Sequence, residues 1–125
     1  GPAATLDHTL EGWLGDRVPP HLQQVAALTA RLLASVDSLG YARTYELFAR
    51  SDRAHAGRLQ GLAMPALFMT GEHDLNSSPA MSSAMAQRAP QGRLEVIAGA
   101  RHMMNVTHPR QVTDALAGFM GDPPR

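Results

Sequence analysis

Apolar positions follow two different spacings along the chain. Leu22, Val25, Ala26, Thr29, Leu32, Leu33 and Val36 recur at three- and four-residue steps, which places them on one face of a helix. That helix is expected to start just after Pro20. Asp37 or Ser38 stands where a second helix needs a cap, and this helix is expected to bury Tyr41, Tyr45, Phe48 and Ala49. A short third helix is expected from about Arg53 to Gln60. Residues 1–20 show no long periodic segment. Gly12, Gly15, Pro19 and Pro20 punctuate them, with Trp13 and Leu14 as apolar anchors.

Beyond residue 65 the spacing changes. Ala66-Leu67-Phe68-Met69-Thr70 is a continuous run closed by Gly71, as in a strand buried on both faces of a parallel sheet. Ser78 and Pro79 suit the cap and first turn of a helix that ends near Pro90-Gln91-Gly92. Arg93-Leu94-Glu95-Val96-Ile97-Ala98 reads as a second strand and Gly99-Ala100-Arg101-His102 as a loop. A last helix from Pro109 is expected to bury Val112, Ala115, Leu116, Phe119 and Met120, ahead of a tail at Asp122-Pro123-Pro124-Arg125. Neither an internal repeat nor a low-complexity tract is present.

The fold class is therefore α/β: helices over residues 1–52, then strand–helix–strand–helix over 53–125. Strands joined through a helix run parallel with a right-handed crossover. Two such strands cannot cover both faces of a sheet, so further strands are expected from outside the chain.

Composition narrows the function. At 125 residues, 44% apolar and 18% charged, the chain suits one modest domain with a core. Eleven basic residues balance eleven acidic ones, which argues against a nucleic-acid or anionic-membrane surface. Without Cys, disulfides and thiolate chemistry are excluded. No apolar run reaches the roughly 18–20 residues of a membrane span, and no signal peptide is visible; the expectation is a cytoplasmic protein. Gly1-Pro2 fits a cleavage scar.

Two loops follow the carboxyl ends of the expected strands, where open α/β sheets bind ligands. One is Gly71-Glu72-His73-Asp74-Leu75-Asn76-Ser77-Ser78-Pro79 and the other Gly99-Ala100-Arg101-His102-Met103-Met104-Asn105. If the strands are neighbours, Asp74 and His102 emerge at one rim. An Asp that accepts a hydrogen bond from one imidazole nitrogen leaves the other free to take a proton from a nucleophile.

The segment Met64-Pro65-Ala66-Leu67-Phe68-Met69-Thr70-Gly71-Glu72-His73-Asp74, followed by Ser78-Pro79, resembles the strand and acid loop of the α/β-hydrolase superfamily. Leu94-Glu95-Val96-Ile97-Ala98-Gly99-Ala100-Arg101-His102 resembles its last strand and histidine loop, with Arg101 where the family usually has Gly. Thr107-His108-Pro109 stands where the family often has Glu-x-Pro. The resemblance covers about residues 53–121; residues 1–52 look like the later part of a helical cap, in the manner of enol-lactonases. It implies Asp74 and His102 as triad acid and base. The family nucleophile, in G-x-S-x-G, has no counterpart: Ser35, Ser38, Ser51, Ser77, Ser78, Ser82 and Ser83 all lack the flanking glycines.

The resemblance thus implies the C-terminal part of a serine-type hydrolase of an ester, lactone or related acyl compound. No cofactor or metal is implied. The expected partners are a small acyl substrate and a complementary N-terminal portion carrying the Ser and oxyanion hole. Trp13, Met103 and Met104 are candidate substrate-binding residues, weighed against core-filling roles. Tyr41, Tyr45 and Phe48 read as core rather than site, and Arg50, Arg53 and Arg58 as a solvated face. A metal site of His73, Asp74, His102 and His108 has the right ligand types but no recognised spacing. The alternative reading is a non-catalytic binding module that covers its bare sheet edge by self-association.

Overall fold

The structure, a computed structural model, describes residues 5–121; Gly1-Pro2 and the tail at 122–125 lie outside the described residues. The first element is a helix that the sequence did not announce, α1 (Leu6–Leu14). Leu6, Leu10 and Leu14 share one face at four-residue steps, which outweighs the cost of about 1 kcal/mol for Gly12 in a helix. Gly15 ends it at φ 99°, its N–H donating to the Glu11 carbonyl at 2.8 Å.

A single 3-10 turn at Pro20–Leu22 leads into α2 (Gln23–Ser35), close to its expected bounds. It packs on α1, and its Thr29 and Leu33 are buried. Leu32, expected in the same buried face, is 58% exposed. Next comes α3 (Ser38–Arg50), capped by Asp37, whose Oδ1 accepts from the Gly40 N–H at 2.6 Å. Here the expected burial fails: Tyr41 is half-buried, but Tyr45 and Phe48 are 60% and 69% exposed and Ala49 is also exposed. The periodicity is real, yet no other described element packs extensively on this face.

The expected helix at 53–60 is also absent. Isolated turns stand there, with a 3-10 turn at Leu59–Gly61. Bonds of the i to i+3 type from Ala54, Arg58 and Gly61 replace an i to i+4 ladder, and Gly57 lowers the helix propensity of the stretch.

The second half has the expected order. Strands β1 (Ala66–Gly71) and β2 (Gly92–Ile97) pair in parallel, in register from Ala66 opposite Gly92 to Gly71 opposite Ile97. The crossover is α4 (Pro79–Arg88), capped by Ser78 Oγ accepting from the Met81 N–H at 3.3 Å. It lies against both strands, with Ser82 and Ala86 buried. A Cβ on Gly92 would collide with the Ala86 backbone, so the close approach of α4 to the start of β2 requires glycine. The short α5 (Met104–Thr107), not foreseen, and α6 (Pro109–Met120) follow. Val112, Ala115 and Phe119 are half-buried, but Leu116 and Met120, expected inside, are exposed.

The buried apolar set is small: Leu14, Leu33, Ala86, Ala89, Ile97 and Ala100. Four of the six β2 residues are exposed, including Leu94 and Val96, so the sheet is not covered on both faces within this chain. Apolar strand residues left in water oppose folding, and this sheet needs further cover. Among the described residues no helix is long and apolar enough to cross a membrane.

Candidate active site

Because Gly71 and Ile97 are opposite each other in the register, the two following loops leave the sheet at the same rim. Backbone bonds lace them together. The Glu72 N–H donates to the Ile97 carbonyl at 3.0 Å and the His73 N–H to the Ala100 carbonyl at 2.8 Å. The Gly99 N–H donates to Glu72 Oε2 at 2.8 Å, and Gly99 takes φ 71°, where glycine is favoured. A Cβ on Gly71 would lie 2.5 Å from the Arg101 carbonyl oxygen and 2.6 Å from that of Ala100. Both obstacles are backbone, so Gly71→Ala must push the histidine loop away. The expected loss is about 1–3 kcal/mol, read as a lower urea midpoint.

Within the first loop, Asp74 organises its own surroundings. Its N–H donates to the Gly71 carbonyl at 3.1 Å, and its Oδ1 accepts from the N–H groups of Asn76 at 2.8 Å and Ser77 at 2.9 Å. The Thr70 hydroxyl donates to the Ser77 carbonyl at 2.5 Å, closing the loop onto the strand. These bonds leave Oδ2 to face the second loop, where it meets His102 Nδ1 at 2.9 Å. The Asp74 side chain is 5% exposed and that of His102 33%.

Burial alone raises the Asp74 pKa, but the Ser77 N–H, the His102 hydrogen bond and the Asn76 N–H together outweigh it, and the carboxyl is held below its ordinary value. Asp74 is thus ionised near neutrality and can only accept. The proton in its bond with His102 therefore sits on Nδ1, and Nε2 is left as an acceptor. A depressed carboxyl pKa stabilises the fold fully above the unfolded value of about 3.9, and that contribution is lost as pH falls through the lower folded value. The stability gap between the native chain and Asp74→Asn, measured by urea denaturation from pH 7 to 2, is expected to narrow only below about pH 4.

Trp13 comes to this rim from the end of α1. Its ring centroid is 5.6 Å from that of His102, at 35° between planes. It lines two open cavities. The first, about 540 Å³, is lined by Trp13, His102, Leu75 and the ring face of Tyr41, Tyr45 and Phe48. These rings, read from the sequence as core, belong instead to the surroundings of His102. Their four- and three-residue spacing showed one face but not what it meets. The second cavity, about 370 Å³, shares Trp13 in its wall and includes Arg17, His21, His73, Arg101 and His108.

Met103 and Met104 are half-buried and line neither cavity. The Met103 carbonyl instead accepts from the N–H groups of Val106 and Thr107 and from the Thr107 hydroxyl. His73 Nε2 lies 3.6 Å from Glu72 Oε2, and His108 Nδ1 lies 2.8 Å from the Thr107 hydroxyl. Among the described residues no three His, Asp or Glu side chains are grouped to hold a metal ion. Arg50 pairs with Glu46 at 2.6 Å on the surface of α3, and Arg53 and Arg58 are exposed.

No family model matches the chain. It is 32% identical over 120 residues to an (E)-2-((N-methylformamido)methylene)succinate hydrolase of Acinetobacter baylyi, a match covering 95% of this chain and 44% of that protein. Its structure is similar to the crystal structure of the enol-lactonase from Burkholderia xenovorans LB400, with a TM-score of 0.86 at 25% identity, over 98% of this chain and 46% of that one. The bromoperoxidase from Bacillus anthracis shares the fold, with a TM-score of 0.78 at 22% identity, over 96% of this chain and 44% of that one. The chain spans less than half the length of these relatives. Parallel strands, crossover helix and both loops are those of the C-terminal portion of the α/β-hydrolase fold, and that is the fold of this chain.

Proposed function

We propose that this chain supplies the acid and the base of a serine-type triad to an α/β hydrolase of esters, lactones or related acyl compounds, with the nucleophile coming from residues outside it. The observation that carries the reading is the Asp74–His102 bond at the sheet rim, which leaves Nε2 free beside a cavity. Support also comes from the relatives, one named a hydrolase and one an enol-lactonase.

In this reading Asp74 fixes the tautomer and orientation of His102. His102 Nε2 takes the proton of the serine hydroxyl as its oxygen bonds to the acyl carbon, giving a tetrahedral intermediate. The imidazolium, stabilised by the Asp74 carboxylate, then returns the proton to the leaving group as the acyl–oxygen or acyl–nitrogen bond breaks. A water deprotonated by the same nitrogen releases the acid and restores the serine. Nothing in this sequence provides G-x-S-x-G, so nucleophile and oxyanion donors, the largest contributors to such catalysis, must come from the complementary portion.

The test is p-nitrophenyl acetate hydrolysis by the chain alone and by the chain joined to an N-terminal hydrolase portion carrying the serine. The joined protein is expected to turn over and the chain alone is not. Turnover by the chain alone, abolished by His102→Ala, would contradict the proposal.

A second reading has its own observation. Leu28, Leu32, Leu39 and Leu47 leave an apolar surface open on α2 and α3, and exposed patches of this kind favour association. As a non-catalytic module the chain would form a stable homodimer with no added hydrolase portion bound. Sedimentation with and without that portion separates the two readings.

A further inference from the structure

Two successive residues of the histidine loop are each met by the end of α1. The Arg101 side chain runs past Gly15, where an added Cβ would stand 3.3 Å from Nε. His102 meets Trp13, with ring centroids 5.6 Å apart and planes at 35°. Leu14, between Trp13 and Gly15, is buried, and α1 packs on α2. Gly15 then turns the chain out of the helix at φ 99°, where glycine is favoured. The indole is thus carried on an anchored helix end rather than on a loop tip.

The triad leaves part of the charge on His102 without a partner. Its Nδ1 faces the Asp74 carboxylate, but the side chain is 33% exposed. The residues that line the cavity beside it include no acid; Tyr41 and Tyr45 are the other titratable groups there. An indole attracts a cation that lies over its face within about 6 Å of the ring centroid. Tilted aromatic pairs are themselves favourable at centroid separations of about 4.5–7 Å. The neutral imidazole gains the second attraction and the imidazolium gains both, so the contact favours the protonated ring.

We infer that Trp13 is a positioning residue for His102: its indole holds the imidazole in place and stabilises the positive charge that this ring carries in the transition state. The role in catalysis rests on the hydrolase reading proposed above, whereas the attraction between the two rings needs only this chain. A Trp13 that merely walled a substrate cavity would act on substrate binding. A Trp13 that steadies His102 acts on the rate.

Two measurements test it. In the joined protein, with p-nitrophenyl acetate, Trp13→Leu is expected to lower kcat about fivefold and to leave KM within about twofold. Trp13→Phe keeps a π face and is expected to retain at least about half of kcat. In the chain alone, Trp13 is the one tryptophan and reports its neighbour by fluorescence. A protonated imidazole quenches an excited indole, and a neutral one does so far less. Emission is expected to rise between about pH 5 and 8, where imidazoles titrate, and His102→Gln is expected to abolish the rise. Asp16, His21, His73 and His108 share the second cavity with Trp13, so a rise that survives His102→Gln belongs to them and overturns the ring pair, as does a flat titration of the native chain. A loss seen in KM rather than kcat, or a Trp13→Phe variant as slow as Trp13→Leu, overturns the positioning role. Should Trp13→Leu fail to fold, a fivefold loss in Trp13→Phe still overturns it. No turnover by the joined protein would remove the hydrolase reading, and the titration would still decide the ring pair.

Discussion

Substituting His102 by Ala in the joined hydrolase is expected to lower kcat by roughly a million-fold while KM changes little. The reason lies in which state the imidazole serves. Before reaction it accepts a weak bond from a neutral hydroxyl. In the transition state it carries the proton and the positive charge, facing an ionised carboxylate 2.9 Å away. An interaction realised mainly in the transition state shows in kcat and not in KM. The fold should tolerate the change, since the His102 side chain is 33% exposed and the loop is held by the backbone bonds of Glu72 and His73 and by the Gly99 N–H donating to the Glu72 carboxylate. Steady-state kinetics with a circular-dichroism melt measures both. A loss below about tenfold, with the melt unchanged, would remove His102 from the chemistry.

Asp74→Asn should cost less, about ten-thousand-fold in kcat, and by a different route. Asn is close in size and keeps an oxygen for the N–H groups of Asn76 and Ser77. Its amide nitrogen then faces His102 as a donor, so Nδ1 must accept and Nε2 must carry the hydrogen. The base is present but in the wrong tautomer. Asp74→Ala differs: it also leaves two loop N–H groups without their acceptor and is expected to lower stability by about 1–3 kcal/mol. Loss of kcat with a small loss of stability in Asn, against loss of kcat with a larger loss of stability in Ala, is the expected pattern. Equal kcat for wild type and Asn would contradict it.

The strand–helix–strand part of the fold was legible because its signals are local. The run Ala66–Thr70, the Ser78-Pro79 start and the Gly71 stop each act over a few residues, and the observed β1, α4 and β2 lie within a residue or a few of where those signals put them. The meeting of Asp74 and His102 was legible for the same reason, since parallel neighbours release their loops on one rim. Helix α1 escaped because Gly12 within it and Gly15 at its end hid a leucine repeat only three members long. Burial was misjudged at Tyr45, Phe48, Leu116 and Met120. Periodicity reports a face, and whether the face is covered depends on what packs there. The aromatic wall beside His102 depends on such meetings between distant segments, which no spacing within one segment reveals.

The proposed chemistry depends on the protonation of one ring. Nitrogen-15 NMR of the histidines near pH 7, with Asp74→Asn for assignment, reads that directly. The expected result is His102 with hydrogen on Nδ1 and a bare Nε2, reversed in the Asn variant. A native His102 carrying its hydrogen on Nε2, indifferent to Asp74→Asn, would contradict it.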